Sequence, residues 1–282
     1  MEVYSKWTIV PNLVMSAILD RALALLERLS LAPHGLALAD ICKDCEIAKG
    51  TAHRLLAHLI KRGYVRQSGE DGLYVLTLQL PLLSAHYLER QGFLDICQPQ
   101  LDRLAELSGE LVRLAWLDGN RLVFIAEAQR AAPGLRYDAN LGQVATLHVT
   151  AVGKTWLATM ALEQVVQCVR DQGRLLDPKL GPRAIKSEKE LLTEVARTRR
   201  RGYAFAVDEG EIGAAAVGVP IATPHAAGGF LGALAIIGPT ARLQRGRLVE
   251  FVPPMRAAAD AIAQLWPLRA FCRKADAASL RR

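Results

Sequence analysis

From Ile47 to Gly69 the chain carries five Lys or Arg and no Asp or Glu, and within that stretch Ala52, Leu55, Leu56, Leu59 and Ile60 recur at three- and four-residue steps. That spacing places the apolar side chains on one face of a helix from about Lys49 to Arg62. The other face takes Thr51, Arg54, His58 and Lys61, with Lys49 and His53 toward the helix start. Such a helix buries one side against a core and leaves a positive field on the other, which is what entry into a DNA groove requires. The net charge of +7 suits a polyanionic partner, but only its distribution says where that partner sits.

The flanking residues give this helix a setting. Residues 1–12 show no period and read as a flexible arm. From Leu13 to Leu31, Val14, Ile18, Ala22, Leu25, Leu26 and Leu29 form an amphipathic stripe that Pro33-His34-Gly35 stops. A short helix fits Leu38 to Cys45, and a turn then leads into the basic helix. Gly63 ends that helix; Tyr64–Gln67 and Leu73–Leu76 read as two strands joined by the Glu70-Asp71-Gly72 turn. Helix, helix, turn, helix, hairpin is the order of a winged helix-turn-helix of about 65 residues, placed at 1–77.

Leu78 to Gly92 reads as a linking helix interrupted early by Pro81. The remainder, 93–270, alternates helices (93–107, 151–160, 162–169, 188–201, 242–265) with strands (112–117, 121–127, 135–137, 203–207, 214–221, 231–237), without a strict strand-helix repeat. The expected class is therefore α+β, with a mixed sheet flanked by helices. Residues 271–282 read as a flexible tail. No apolar stretch reaches the length of a membrane helix and no early segment has the layout of a secretory signal, so the expectation is a cytoplasmic protein with no membrane partner. Five scattered cysteines, an odd number, fit reduced thiols better than a disulfide framework.

Five motifs stand in a telling order: Thr51-Ala-His-Arg-Leu-Leu56 with Arg62-Gly-Tyr-Val65, Leu147-His148 with Ala151-Val-Gly-Lys154, Arg201-Gly-Tyr203, and Ile237-Gly-Pro239. Over about Leu13 to Leu265 the chain resembles the IclR-type bacterial transcription regulators. The resemblance implies a winged helix, a linking helix, a GAF-like domain that binds a small effector, and a dimer or tetramer on a palindromic DNA operator. On the basic helix Lys49 and Arg54 are the candidates for base-edge or phosphate contacts, since Arg donates bidentately to guanine, and Arg66 at the strand base is the wing contact; His53 and His58 read equally as DNA contacts or as neutral surface residues, and Thr51 suits a phosphate or a helix cap. Gly50 stands where the family often has Ser, and Glu70 and Asp71 would be repelled by phosphate.

For the effector the resemblance implies backbone amides at Ala151 and Val152 beside the Thr150 hydroxyl. Tyr137 is placed with them. The positions that carry polar side chains in members binding small carboxylates fall here on Ala206, Ala216, Ala235 and Ile237, all apolar. The expected effector is therefore larger, with an aromatic or aliphatic body and one carboxylate, because each unsatisfied polar group of a tiny acid would cost about 1–3 kcal/mol.

Other motifs have blander readings. Cys42-x-x-Cys45 with His53 and His58 has too short a gap for a zinc finger, and the two histidines sit on diverging faces of one helix; no metal is expected. Gly153-Lys154-Thr155 lacks the first glycine of a phosphate-binding loop, so Gly153 reads as a packing residue that lets its helix approach a strand. His148 reads as a structural hydrogen-bonding group, Asp208, Glu209 and Glu211 as a solvated acidic loop near the rim of the expected pocket, and the Arg197–Arg201 run as charge complementing a helix end. No catalytic constellation and no cofactor motif emerges. The alternative is an enzyme or metabolite-binding protein with an accessory winged helix.

Overall fold

The computed structural model describes residues 17–68, 72–91, 93–130, 137, 141–173, 175–222 and 229–264. The expected N-terminal arm, the wing tip at Glu70 and Asp71, and the C-terminal tail lie outside them. The chain forms two compact units, Met1–Gln91 and Gly92–Arg282.

In the first unit, helices α1 (Ala17–Ser30), α2 (Leu38–Asp44) and α3 (Lys49–Lys61) precede a hairpin of β1 (Val65–Gln67) and β2 (Tyr74–Leu76). Its core gathers Leu25 and Leu29 of α1, Ile41 of α2, Ile47, Ala52, Leu55 and Leu56 around α3, and Val65 and Tyr74 of the hairpin. Both expected stripes run one residue too far: Ile18 is 63% exposed and Ile60 39%. Each lies next to the end of its described helix, and Val14 of the first stripe lies outside the described residues.

The α2–α3 turn is closed by the Ile47 amide donating to the Cys42 carbonyl at 3.0 Å, with Glu46 held at φ 53°. Gly35 is needed where it stands, because at φ +88° an added Cβ would sit 2.5 Å from Val75. Helix α4 (Gln79–Gln91) ends the unit. Pro81 does not interrupt it, since it occupies the first turn, where backbone amides have no intrahelical acceptor.

The second unit opens with α5 (Phe93–Ser108), β3 (Leu111–Asp118) and β4 (Arg121–Gln129). Three helices follow: α6 (Ala151–Leu157), α7 (Leu162–Gln172) and α8 (Glu188–Arg201). Strands β5 (Ala204–Val207), β6 (Ala214–Ala222) and β7 (Phe230–Pro239), short helix α9 (Arg245–Glu250) and a helical run over 252–264 complete it. The expected strand at 135–137 is not found: residues 135 and 136 lie outside the described residues, and Tyr137 belongs to no strand.

The sheet has the order β4-β3-β7-β6-β5, with every ladder antiparallel. One face packs on α5 and the 252–264 helix through Leu101, Leu104, Leu114, Ile236 and Met255; the other packs on α6, α7 and α8 through Ala115, Phe124, Val152, Leu157, Val165 and Val195. A bulge opposite Leu114 and Ala115 adds Ile125 to β4, so Phe124 and Ala126 face opposite sides of the sheet. Gly218 lets α6 approach the sheet, since an added Cβ there would lie 2.8 Å from the Ala151 backbone. Among the described residues no helix is long and apolar enough to cross a membrane.

Candidate functional site

On α3 the buried stripe holds an opposite face turned to solvent. At 100° per residue, Gly50, Arg54, Ala57 and Lys61 lie farthest from the stripe, with His53 and His58 about 140° apart on its two sides. Lys49, His53, Arg54, His58, Lys61 and, on β1, Arg66 are exposed, and none of the four cations among them has a side-chain partner among the described residues. Cations held by an internal carboxylate would first have to give it up before meeting phosphate; these do not. Thr51 does not cap the helix. The capping position is Ala48, whose side chain accepts nothing, and Thr51 is half-buried at the third helical residue. An added Cβ at Gly50 would meet nothing within 4 Å. Cys42 and Cys45 are part of the packing around this core, and the Cys45 thiol is pushed up by burial and by Asp44.

In the second unit the face of the sheet under α6 floors a cavity of about 780 Å³. Ala206 stands opposite Ala216, Ala216 opposite Ile237, and Ala235 opposite Arg113, and side chains of directly paired residues share a face. Tyr137, Thr150, Ala151 and Val152 line the same space, so all eight residues named from sequence border one cavity. The Thr150 hydroxyl is engaged: it accepts from the Gly153 amide at 3.2 Å, capping α6, and donates to the Thr146 carbonyl at 2.8 Å. The Ala151 and Val152 amides are in the first turn, where a helix leaves its donors without intrahelical partners. On α7, Gln172 pins the rim, accepting from the Leu147 amide and donating to the Ala145 carbonyl.

Sequence reasoning missed Arg113 as a lining residue, and it placed Glu209 and Glu211 near the rim without their partners. Arg113 is buried, with its guanidinium carbon 3.7 Å from the centre of the Phe124 ring and its Nε 3.5 Å from Glu127 Oε2. Burial draws its pKa down, and Glu127 and Tyr137 oppose that. Its signal was present: a lone cation in the apolar run Leu111-Val-Arg-Leu-Ala-Trp116. Of the two acids expected in a solvated loop, Glu211 is indeed exposed, but Glu209 is not solvated. Glu209 Oε2 lies 2.5 Å from the Nζ of Lys154, which is 2% exposed and also donates to the Phe205 carbonyl at 2.9 Å. Burial raises the Glu209 carboxyl, against the pull of Lys154. Glu211 hydrogen-bonds the Tyr137 hydroxyl; burial first, then this carboxylate, pushes that phenol up to about 12. Asp208, at φ 55°, accepts from the Gly213 amide at 2.8 Å and shapes the turn.

Three further expectations are adjusted. Gly153 is a packing residue, but against a turn rather than a strand: an added Cβ would lie 2.4 Å from the Leu147 carbonyl oxygen. His148 is fully buried, yet neither ring nitrogen meets a protein partner among the described residues, so it is not a hydrogen-bonding strut. Burial, with Lys154 nearby, lowers it to about 4, and it is neutral at physiological pH. The basic run at the end of α8 does more than complement a dipole: Arg199 donates to the Ala158 and Met160 carbonyls beyond α6, and Arg201 pairs with Glu194 at 2.6 Å. No cluster of three potential metal ligands occurs among the described residues.

Comparison with known proteins agrees with both halves of this picture. Residues 18–69 match the IclR helix-turn-helix domain, and residues 85–264 match the C-terminal domain of bacterial IclR transcriptional regulators. The chain is 30% identical to the acetate operon repressor of Salmonella typhimurium over 233 residues, 82% of this chain and 83% of that one. A crystal structure of an IclR-type regulator from a Silicibacter species superposes with a TM-score of 0.69 at 27% identity, over 88% of this chain and 96% of that one. An IclR homologue from Microbacterium hydrocarbonoxydans, solved with 4-hydroxybenzoate, shares the fold at a TM-score of 0.72 and 22% identity, over 89% and 100%. With a family match spanning well over half its length, a helix-turn-helix in one unit and the regulators' C-terminal domain in the other, the chain belongs to the IclR family of DNA-binding transcriptional regulators.

Proposed function

We propose that this regulator is ligand-responsive: the outward face of α3 reads a palindromic operator from a dimer or tetramer, and the cavity of the second unit takes a small metabolite with an aromatic or aliphatic body. In this reading residues 1–77 form the DNA-binding domain, 78–92 the linking helix and 93–270 the effector domain. Lys49, Thr51, His53, Arg54 and His58 meet the groove, and Arg66 meets the flanking backbone. Affinity falls steeply with salt, because each neutralised phosphate releases counterions.

The observation that carries the sensing half is the cavity. Its volume lies within the range ordinary for small-molecule sites, about 300–1,000 Å³, and Ala206, Ala216, Ala235 and Ile237 give its floor no polar side chain. A compact polar acid would leave hydrogen bonds unmade there, while an apolar body fills it. The aromatic ligand of the Microbacterium homologue is of the class this floor suits, but at 22% identity that likeness carries the fold, and the ligand class rests on the lining. To act, the effector must bind one arrangement of the assembled protein better than another, since equal affinity shifts nothing.

Gel-shift with DNA from upstream of its own gene, followed by calorimetry against short keto acids and larger apolar-bodied acids, tests both halves. A retarded band that fades with salt, and heat from the larger compounds, are expected. Tight binding of only the small polar acids would overturn the effector class, and indifference to promoter DNA at low ionic strength would overturn the regulator.

A further inference from the structure

We infer that the second unit carries another ligand site, a cationic hollow along the free edge of β5 that takes a small metabolite with two or more negative charges, of the phosphomonoester or diphosphate class. It does not depend on what the alanine-floored cavity binds. The hollow, about 1250 Å³, lies between α8, β5 and the residues that lead into α9. β5 is the last strand of the sheet. The Asp208 amide donates to the Ala214 carbonyl, so by the alternation of an antiparallel ladder Ala204 and Ala206 turn their polar groups to β6, and Phe205 and Val207 turn theirs outward. Two of these outward groups are closed by side chains. Lys154 Nζ donates to the Phe205 carbonyl at 2.9 Å, and the Val207 amide donates to the Glu209 carboxylate. An edge plugged in this way is covered against an added strand, so the hollow beside it suits a compact ligand better than an extended peptide.

The charges around the hollow say which kind. Its lining holds six cations and four carboxylates, a surplus of positive charge. All four carboxylates are engaged: Glu209 by Lys154, Glu194 by Arg201 at 2.6 Å, Asp208 by the Gly213 amide and Glu190 by the Lys186 amide. Arg183, Lys189 and Arg245 are exposed and meet no carboxylate among the described residues; Arg197 comes only within 4.0 Å of Glu194, which Arg201 already holds. These cations arrive from separate segments, one ahead of α8, two on α8 and one at the start of α9. Arg201 and Arg245 are drawn together further by one ring, their guanidinium carbons 4.9 and 5.0 Å from the centre of Phe205. An aromatic face attracts each cation but neutralises neither. Like charges gathered around one hollow repel, and an anion placed among them relieves that repulsion. Guanidinium forks donate to phosphate oxygens in pairs, which favours a phosphate over a simple carboxylate. Duplex DNA is the poorer fit, because the cations surround a hollow that a double helix is too wide to enter.

Calorimetric titration of the full-length protein with pyrophosphate, in a low-salt buffer free of phosphate, tests the site. One pyrophosphate is expected to bind per chain. Arg183→Gln combined with Arg245→Gln is expected to weaken it by about tenfold or more, the scale for losing charge-assisted hydrogen bonds. Arg200→Gln removes the same charge from an exposed position of α8 that does not line the hollow, and it is expected to leave the affinity in place. Both side chains of the double variant are exposed, so its melting curve without ligand should match the wild type; should it melt lower, Lys189→Gln with Arg197→Gln takes its place. No heat from pyrophosphate, or binding that survives the double variant, overturns the assignment. Equal weakening by Arg200→Gln marks diffuse surface charge and overturns it as well. The double variant is also compared with the wild type on duplex DNA of unrelated sequence: a loss as large as for pyrophosphate makes this face a nucleic-acid contact and overturns the ligand class.

Discussion

On α3 the cations proposed to meet DNA, Lys49 and Arg54, are long and exposed, and the buried stripe of Ala52, Leu55 and Leu56 only holds them up. In the cavity the relation is reversed: its floor is made by short side chains, Ala206, Ala216 and Ala235, and of its charged groups Arg113 is buried and Glu209 is held by the buried Lys154. Changes on the first surface should alter binding without touching stability. Changes at the second should alter both, because the groups that shape the cavity also hold the unit together. The two halves of one regulator would then tolerate substitution on very different terms.

The harshest trial of that contrast is Lys154→Ala. It strands the Glu209 carboxylate in a site where it is 13% exposed, and breaking a buried pair costs about 3–5 kcal/mol. Urea denaturation should show a loss of that size, and Lys154→Met combined with Glu209→Leu should recover most of it. A loss below about 1 kcal/mol would mean the pair is ornamental.

Next is the pH dependence set by His148. Its folded pKa, about 4, lies below the ordinary 6.5, so the unfolded chain binds the extra proton first. Its contribution is complete above about pH 6.5 and is lost as pH falls toward 4, on the order of 3 kcal/mol in all. Glu209, whose carboxyl is raised, contributes with the opposite sign as pH rises through its own range. Comparing wild type with His148→Leu isolates the histidine: the variant's stability should fall less between pH 7 and 4.5, and at pH 7 leucine should be tolerated, since no partner among the described residues is lost.

Two glycines sharpen the comparison at smaller scale. Gly153→Ala drives a methyl into the Leu147 carbonyl and should cost about 1–3 kcal/mol in thermal or urea unfolding. Gly50→Ala, on the open side of α3, should change stability by no more than about 0.5 kcal/mol. Arg54→Ala likewise should leave the melting curve in place while weakening operator binding by about 1–3 kcal/mol if the side chain reads a base. An equal drop in melting temperature for Arg54→Ala and Gly153→Ala would erase the distinction.

The same contrast explains what could be read from sequence. The α3 face was legible because a helical period reports directly which side chains turn outward, and the cavity's alanines were legible only through the family resemblance, carried along the strands from the glycine-containing motifs. The Lys154–Glu209 pair joins residues 55 apart, and no local pattern announces such a partner. Arg113 was visible as a charge in an apolar strand, but which face it took depended on the pairing of β3. The overrun at Ile18 and Ile60 has a similar origin, for periodicity marks a face and says nothing of where the neighbouring elements end.

The bulge in β4 has a consequence for how the chain can vary in length. Every second residue from Leu122 to Ala128 is buried, as in a strand with one inner side, yet Leu122 and Phe124 serve the cavity layer while Ala126 and Ala128 serve the layer of α5. Ile125 is therefore surplus to the ladder. Shortening the strand by that one residue should keep Phe124 beneath Arg113 and Ala126 against α5, whereas removing any ladder-paired neighbour would exchange the two linings. The chain is expected to lose this one residue without a change of register, at the cost of the packing of Ile125, a latitude that an unbroken strand does not offer.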